Sequence, residues 1–148
     1  MTHIIDSKGR IILSGCLILN DKNELLLLHR KDHNHYETPG GKVDIGECLD
    51  PNNPSKSELK KTAQREVYEE LGTKIVLAPL EYFGFVEFTV PDGRIAVANK
   101  FLTKIISGKP ELAEPELFDR FDYLKITNLD LYTISPDLTL FLNQLRDL

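Results

Sequence analysis

Tryptophan is absent from this 148-residue chain, methionine occurs once and cysteine only twice. Cys16 falls in a predicted strand and Cys48 in a polar segment. Two such cysteines are too few for a disulfide scaffold or a zinc site, and we expect both to be free thiols. Basic residues are also scarce, since 18 Lys and Arg are outnumbered by 23 Asp and Glu, for a net charge of −5. This balance argues against a nonspecific nucleic-acid or membrane binder.

Long apolar runs are missing as well. The segment from Ile11 to Leu19 is too short to span a bilayer, and the first ten residues lack the pattern of a signal peptide. We therefore expect a cytoplasmic protein. A chain of 148 residues fits one domain with a sizeable core.

The apolar periodicity predicts strands in the middle of the chain and two helices. One helix follows the capping box Ser55-x-x-Glu58 and ends at Gly72, and the other begins at Ser135-Pro136. The first two strands flank a turn-forming tetrapeptide and are predicted to form a hairpin. This order indicates an α/β layered domain. The predicted strands are Ile11–Leu19, Glu24–Arg30, Lys74–Leu77, Leu80–Val90, Ile95–Ile106 and Phe121–Ile126.

Three glutamates crowd the last turns of the first predicted helix. Glu66, Glu69 and Glu70 are spaced to share one face, where like charges repel, and the helix dipole disfavours anions at this end. Glu66 and Glu70 also border the apolar stripe, so they should lie where the helix meets the body of the protein. A hard divalent cation such as Mg²⁺ explains the cluster. An ordinary solvated face is the alternative.

A glycine-rich turn, Pro39-Gly40-Gly41, precedes this helix and lets backbone groups approach an ion or a phosphate. The combination Gly41-x5-Glu47 followed by Arg65-Glu66-x-x-Glu69-Glu70-x-Gly72 resembles the signature of the Nudix (MutT-like) hydrolases. The resemblance implies a Nudix-type α/β/α sandwich with a central mixed sheet. It also implies one domain over residues 1–148, with the signature at 41–73.

The resemblance further implies residue roles and a Mg²⁺ cofactor, for which Mn²⁺ would substitute. Three glutamates match the metal-binding and base-forming positions, a glycine carbonyl matches a frequent backbone ligand, and an arginine–glutamate pair matches a support for the carboxylates. These residues are Glu66, Glu69 and Glu70; Gly40; and Arg65 with Glu47.

Other candidates lie outside the signature. The family often adds a carboxylate from a later loop, which makes Glu114 and Glu116 candidates, with plain loop acidity as the alternative. Arg30 or Lys31 could reach a substrate phosphate, or be a solvated strand end. Tyr36 takes the place of an aromatic residue common before Pro-Gly-Gly, where packing is favoured and stacking on the substrate base is the alternative.

The chain departs from the family pattern between the two halves of the signature. The family has seven residues between the loop glutamate and the arginine, whereas this chain has seventeen, Cys48 to Gln64. We interpret the region around 48–57 as an inserted surface loop that rims the substrate mouth or forms a subunit contact. Thr38 and Thr73 also differ from the family's usual residues, and we interpret both as packing variation.

The function implied is that of a Mg²⁺-dependent pyrophosphohydrolase acting on a nucleoside diphosphate linked to another group. We lean to nucleoside triphosphates, modified or not, over ADP-ribose or nucleotide sugars. Two other classes remain as alternatives: a non-enzymatic ligand-sensing module and an isopentenyl-diphosphate isomerase-like enzyme. The implied partner is a small nucleotide, with a homodimer possible.

Overall fold

The computed structural model describes residues 2–148, in which nine strands and two α-helices follow one another with a 3-10 helix before the last element. The helices are α1 (Lys56–Leu71) and α2 (Pro136–Arg146), and the 3-10 helix is Ile126–Leu131. The strands are β1 (Ile11–Ile18), β2 (Glu24–Arg30), β3 (His35–Glu37), β4 (Gly40–Lys42), β5 (Val76–Leu77), β6 (Glu81–Thr89), β7 (Ile95–Thr103), β8 (Ile105–Ser107) and β9 (Phe118–Lys125).

Strand β1 organises a four-stranded mixed sheet with the order β4-β1-β7-β6. It pairs antiparallel with β4 and parallel with β7, and β7 pairs antiparallel with β6. Strand β2 lies in a second sheet, β3-β2-β9, and β5 pairs with β8. The protein is thus a mixed α/β domain, as the sequence predicted.

The predicted hairpin between the first two strands is wrong in its pairing. The turn is present, since the Asn20 amide donates to the Glu24 carbonyl at 3.1 Å, but only a bridge between Leu19 and Leu25 joins the two sides. Both edges of β1 and both edges of β2 are occupied by other strands. Strands that are buried on both faces, as these are, belong in the interior of sheets rather than in an exposed ribbon.

Alternating side chains of β1 and β2 supply two separate apolar cores. One core packs under α1 and the other under α2, because successive residues of a strand point to opposite faces. The two helices therefore cover opposite sides of the strands, which is the expected sandwich. From these two strands the α1 core takes Ile12, Cys16, Ile18, Leu26 and Leu28, and the α2 core takes Leu17, Leu25 and Leu27.

One predicted strand is divided into two strands in the structure. The predicted strand Ile95–Ile106 is interrupted at Lys104, so it forms β7 and then β8.

Cys16 and Cys48 are both buried free thiols, which confirms their expected state. Within residues 2–148, neither helix has the length and hydropathy that a bilayer crossing requires.

Candidate active site

Helix α1 begins and ends where the sequence predicted. Ser55 Oγ accepts the Glu58 amide at 3.0 Å, and Glu58 Oε1 accepts the Ser55 amide at 2.9 Å, which completes the capping box. The helix stops at Gly72, whose φ of 87° is a conformation that glycine adopts without strain. These fixed ends set the rotation of the helix and hence the direction of its glutamates.

Glu70 is the most buried glutamate of the cluster, with 3% of its surface exposed. Its Oε1 accepts a hydrogen bond of 2.8 Å from the Gly40 amide, which joins α1 to the glycine turn. Burial raises the pKa of Glu70 well above its ordinary value, and Glu66, Glu37 and Glu114 add repulsion. The prediction that this carboxylate lies at the helix–body junction is confirmed.

Glu66 lies against Gly41. A Cβ atom on Gly41 would lie 2.6 Å from both carboxylate oxygens of Glu66, so only glycine leaves room for this contact. Burial raises the pKa of Glu66 to about 7, although the neighbouring Arg65 acts in the opposite direction. Glu66 and Glu70 are therefore two desolvated carboxylates four residues apart, on neighbouring turns of one helix face.

Arg65 holds the signature together across the long intervening segment. Its Nε and Nη2 donate to the two oxygens of Glu47 at 2.9 and 2.8 Å, a bidentate pair, and Nη2 also donates to the Lys42 carbonyl at 3.1 Å. Its Nη1 donates to Glu66 and Glu69 at 2.9 Å each. The hydrogen bonds from Arg65 lower the pKa of Glu47. The insertion does not prevent this pairing.

A magnesium ion fits the donor set at Glu66 and Glu70. Within residues 2–148, no three acidic, histidine or cysteine side chains converge closely enough to chelate a metal by themselves, and Glu69 is 46% exposed beside Arg65. Mg²⁺, however, usually takes one or two carboxylates and fills its other positions with water and substrate phosphates. A buried and a partly buried carboxylate that repel each other are costly without a cation, and a divalent ion would offset that cost.

The acidic loop that follows β8 packs on the C-terminal end of α1. The Ala113 amide donates to the Glu70 carbonyl at 3.2 Å, which brings Glu114 close to the carboxylate cluster. Burial raises the pKa of Glu114, and repulsion from Glu69 and Glu116 adds to it. Glu116 itself is exposed. Of the two candidates for an extra carboxylate, Glu114 is the one that faces the site.

A cleft of about 500 Å³ borders the two glycines of β4. Arg30 lines it, and its Nη1 lies 3.8 Å from Glu37 Oε2. Lys31 is exposed and does not line the cleft. Tyr36 packs in the α2 core, with its hydroxyl donating to Asp122 at 2.9 Å. Neither Lys31 nor Tyr36 lines this cleft, and substrate contact by either residue stays a prediction.

Sequence reasoning missed several polar residues of the cleft wall. Glu37 lies beside Arg30 and repels Glu70 through space. Lys100 Nζ donates to Thr38 Oγ1 at 2.6 Å and pairs with Asp137 Oδ2 at 2.9 Å. Thr38 is thus a hydrogen-bonding residue rather than packing variation. The sequence did contain one signal for this cluster, which is the position of Lys100 within the mostly apolar strand β7.

The segment from Cys48 to Pro54 lies away from the cleft. Asn52 Oδ1 accepts the Ser7 amide at 2.7 Å, so this segment packs on the N-terminal residues, and none of its residues lines the cleft. The segment therefore does not rim this cleft. Its possible role in a subunit contact stays a prediction, and Leu49 is 97% exposed there.

Comparison with known proteins assigns the class to which this fold and site belong. The family model described as the NUDIX domain matches residues 10–139. The chain is therefore a member of the Nudix family, and its site is that of a hydrolase acting on pyrophosphate bonds. None of the curated proteins compared with the chain matches it significantly.

Solved structures agree with this assignment. The MutT NUDIX hydrolase from Burkholderia pseudomallei is 25% identical, with a TM-score of 0.74 over 91% of this chain and 97% of that one. The MutT protein from Methanosarcina mazei Go1 is 24% identical, with a TM-score of 0.72 over 93% and 94% of the two chains. The ORF135 protein of E. coli is 21% identical, with a TM-score of 0.65 over 94% and 88%. At these identities, the proteins from Methanosarcina mazei Go1 and E. coli show that this chain has the same fold as they do.

Proposed function

We propose that this Nudix hydrolase is a Mg²⁺-dependent pyrophosphohydrolase that cleaves nucleoside triphosphates, modified or not, to a nucleoside monophosphate and pyrophosphate. One observation carries the proposal: the carboxylates of Glu70, which is buried, and Glu66, which is partly buried, meet the Gly40–Gly41 turn at the border of a cleft of about 500 Å³. The turn lets phosphates approach the carboxylates, and the cleft accommodates the nucleoside.

The proposed division of labour follows from the contacts. Glu66 and Glu70 would hold Mg²⁺, with Glu69 and the Gly40 carbonyl as the further ligands that the family resemblance implies, and the ion would supply positive charge for the phosphoryl oxygens. Arg65 pairs with Glu47 and also donates a hydrogen bond to Glu69, so it orients the carboxylates of the signature.

Proton transfer and phosphate binding fall to other groups in the proposal. A carboxylate that lies near the metal without being bound to it is suited to exchange a proton. Glu114 is the candidate for an additional carboxylate, and Arg30 for a contact with the phosphate chain.

A panel of substrates tests this proposal. The purified protein is incubated with Mg²⁺ and each of the common ribonucleoside and deoxyribonucleoside triphosphates, and with ADP-ribose and UDP-glucose. We expect pyrophosphate and a nucleoside monophosphate from the triphosphates, and no product when EDTA is added. Glu70→Gln is the matched inactive control. Turnover of only ADP-ribose or the nucleotide sugar would favour the alternative substrate class.

Binding without turnover of any compound would favour the ligand-sensing alternative. Cytoplasmic location and a homodimer stay predictions of the sequence. Mn²⁺ is expected to replace Mg²⁺, because it also accepts hard oxygen ligands.

A further inference from the structure

Strand β6 forms a free edge of the four-stranded sheet. It is the last strand in the order β4-β1-β7-β6, so within residues 2–148 its outer edge pairs with no other strand. At the turn into β7, the Val90 amide donates to the Arg94 carbonyl at 2.9 Å. Backbone groups of successive strand residues point to opposite edges, so Val86 also faces β7, whereas Phe85 and Glu87 direct their amides and carbonyls outwards.

The side chains of β6 leave this edge open to another strand. Strand β9 also ends its sheet, but half of its residues are charged, and charged side chains are one means by which edge strands avoid pairing with other chains. In β6 only Glu81 and Glu87 are charged, and most of the other residues are aromatic or β-branched. Phe85 is 59% exposed beside the open backbone groups. The chemistry of this edge therefore fits a second β-strand.

The geometry of β6 restricts how two copies of it can pair. The ladder with β7 shifts register between Tyr82 and Gly84, so the regular part of β6 begins at Gly84. Two copies related by a two-fold axis perpendicular to the sheet run antiparallel and keep their faces aligned. An axis at Glu87 would place two glutamates directly opposite each other, which is destabilising, and an axis at Phe85 would draw the irregular part into the ladder. An axis at Val86 avoids both problems.

We propose that two copies of this chain dimerise through the β6 edge, antiparallel, about a two-fold axis at Val86. Phe85 of each copy then lies opposite Glu87 of the other, and their outward amides and carbonyls exchange backbone hydrogen bonds. The two Phe85 side chains become diagonal neighbours on one face, at a separation that aromatic side chains can bridge, and are withdrawn from water. Glu87 is already paired with Arg10 within each copy, which compensates its charge.

The paired segment ends at the residues of β6 that line the cleft. These are Phe88 and Thr89, so the second copy would support one wall of the cleft from outside. One pair of strand edges is a small interface compared with that of an obligate dimer, and we expect a reversible equilibrium that depends on protein concentration. The inference is independent of the proposed substrate.

Sedimentation velocity of the full chain from about 1 μM to about 1 mM measures this equilibrium. Phe85→Glu should raise the dissociation constant of the dimer at least about 10-fold, because it removes the aromatic contact and places like charges opposite each other. Adding Glu87→Lys to this variant should restore the dimer, since each new glutamate then meets a lysine. Leu49→Glu is the matched control: it changes an equally apolar, 97% exposed residue of the Cys48–Pro54 segment and should leave the dimer unchanged.

Val86→Cys tests the position of the axis. Opposed residues of a non-hydrogen-bonded antiparallel pair have Cα atoms about 4.5 Å apart, within the range of a disulfide. We expect Val86→Cys to form a covalent dimer on oxidation. Thr89→Cys, exposed on the same strand but opposite Phe83 of the second copy, should not. The native thiols Cys16 and Cys48 are buried, and the wild-type chain supplies the background.

Each outcome decides the inference. A chain that stays monomeric up to about 1 mM overturns it and leaves the edge to a strand of another protein. A dimer that survives Phe85→Glu, or that Leu49→Glu disrupts, has its contact elsewhere and overturns it as well. If circular dichroism shows that Phe85→Glu does not fold, the cysteine pair decides: selective cross-linking of Val86→Cys supports the dimer, and equal or absent cross-linking of the two variants refutes it.

Discussion

Replacing Glu66 with glutamine is expected to change the pH dependence of stability in the metal-free protein. Burial raises the pKa of Glu66 from 4.5 to about 7 in the folded state. Between these two values the folded protein holds a proton that the unfolded chain has released. The free energy of unfolding therefore falls as pH rises through this window and levels off above about pH 7.

The magnitude follows from the two pKa values. At about 1.4 kcal/mol per pH unit, the ionised Glu66 costs the folded state about 3 kcal/mol, of which about 2 kcal/mol appears between pH 5.5 and 8. The pKa of Glu70 is also raised, so this residue makes the free energy of unfolding fall further as the pH rises. Glu47 has the opposite effect, because its pKa is lowered in the folded state. The stability that it contributes is lost only as the pH falls into the more acid range.

Urea denaturation in EDTA, at several pH values from 5.5 to 8.5, measures the effect. We expect the fall in unfolding free energy to be about 2 kcal/mol smaller in Glu66→Gln than in wild type. Glu69→Gln is the matched control, because it removes the same charge from a carboxylate that is 46% exposed. Parallel curves for wild type and Glu66→Gln would refute the claim that Glu66 is held in a desolvated, anion-rich site.

Glu70→Gln should lower kcat at least about 100-fold with Mg²⁺, since it removes a preorganised charge, and unchanged turnover in a stopped assay would show that the site lies elsewhere. Arg65→Ala should weaken metal affinity about 10–100-fold by releasing Glu47, and an unaltered calorimetric titration would contradict the supporting role. Shortening Leu49–Pro54 to a two-residue turn with Ser55 kept should preserve the circular dichroism spectrum and KM, and loss of the folded spectrum would mean that the segment belongs to the core. Its effect on oligomeric state, measured by light scattering, tests the predicted subunit contact.

Local patterns in the sequence predicted the elements that build the carboxylate site. The capping box at Ser55, the end at Gly72 and the position of Glu66 and Glu70 beside the apolar stripe were all confirmed. Each depends on contacts within one helical turn or on one face of one helix, and such contacts are readable from spacing alone.

The errors concern contacts between distant parts of the chain. The partners of β1 and β2 could not be read from their apolar pattern, because a strand buried on both faces does not specify its neighbours. Lys100 and Asp137 are brought together only by the packing of α2 over the sheet. The position of the insertion likewise depends on the contact of Asn52 with Ser7, which lies 45 positions earlier in the sequence.

The parallel pairing of β1 with β7 also bears on how the protein folds. The paired residues Ile11 and Ala96 are 85 positions apart, so a long loop must close before this part of the sheet exists. Contacts of such separation slow folding relative to helical proteins of the same stability. Strand β4 and helix α1 also pack on β1, and both are closer to β1 in the sequence than β7 is. The carboxylate cluster can therefore assemble before β7 arrives, whereas the wall of the cleft that contains Ala96 and Lys100 has to wait for it.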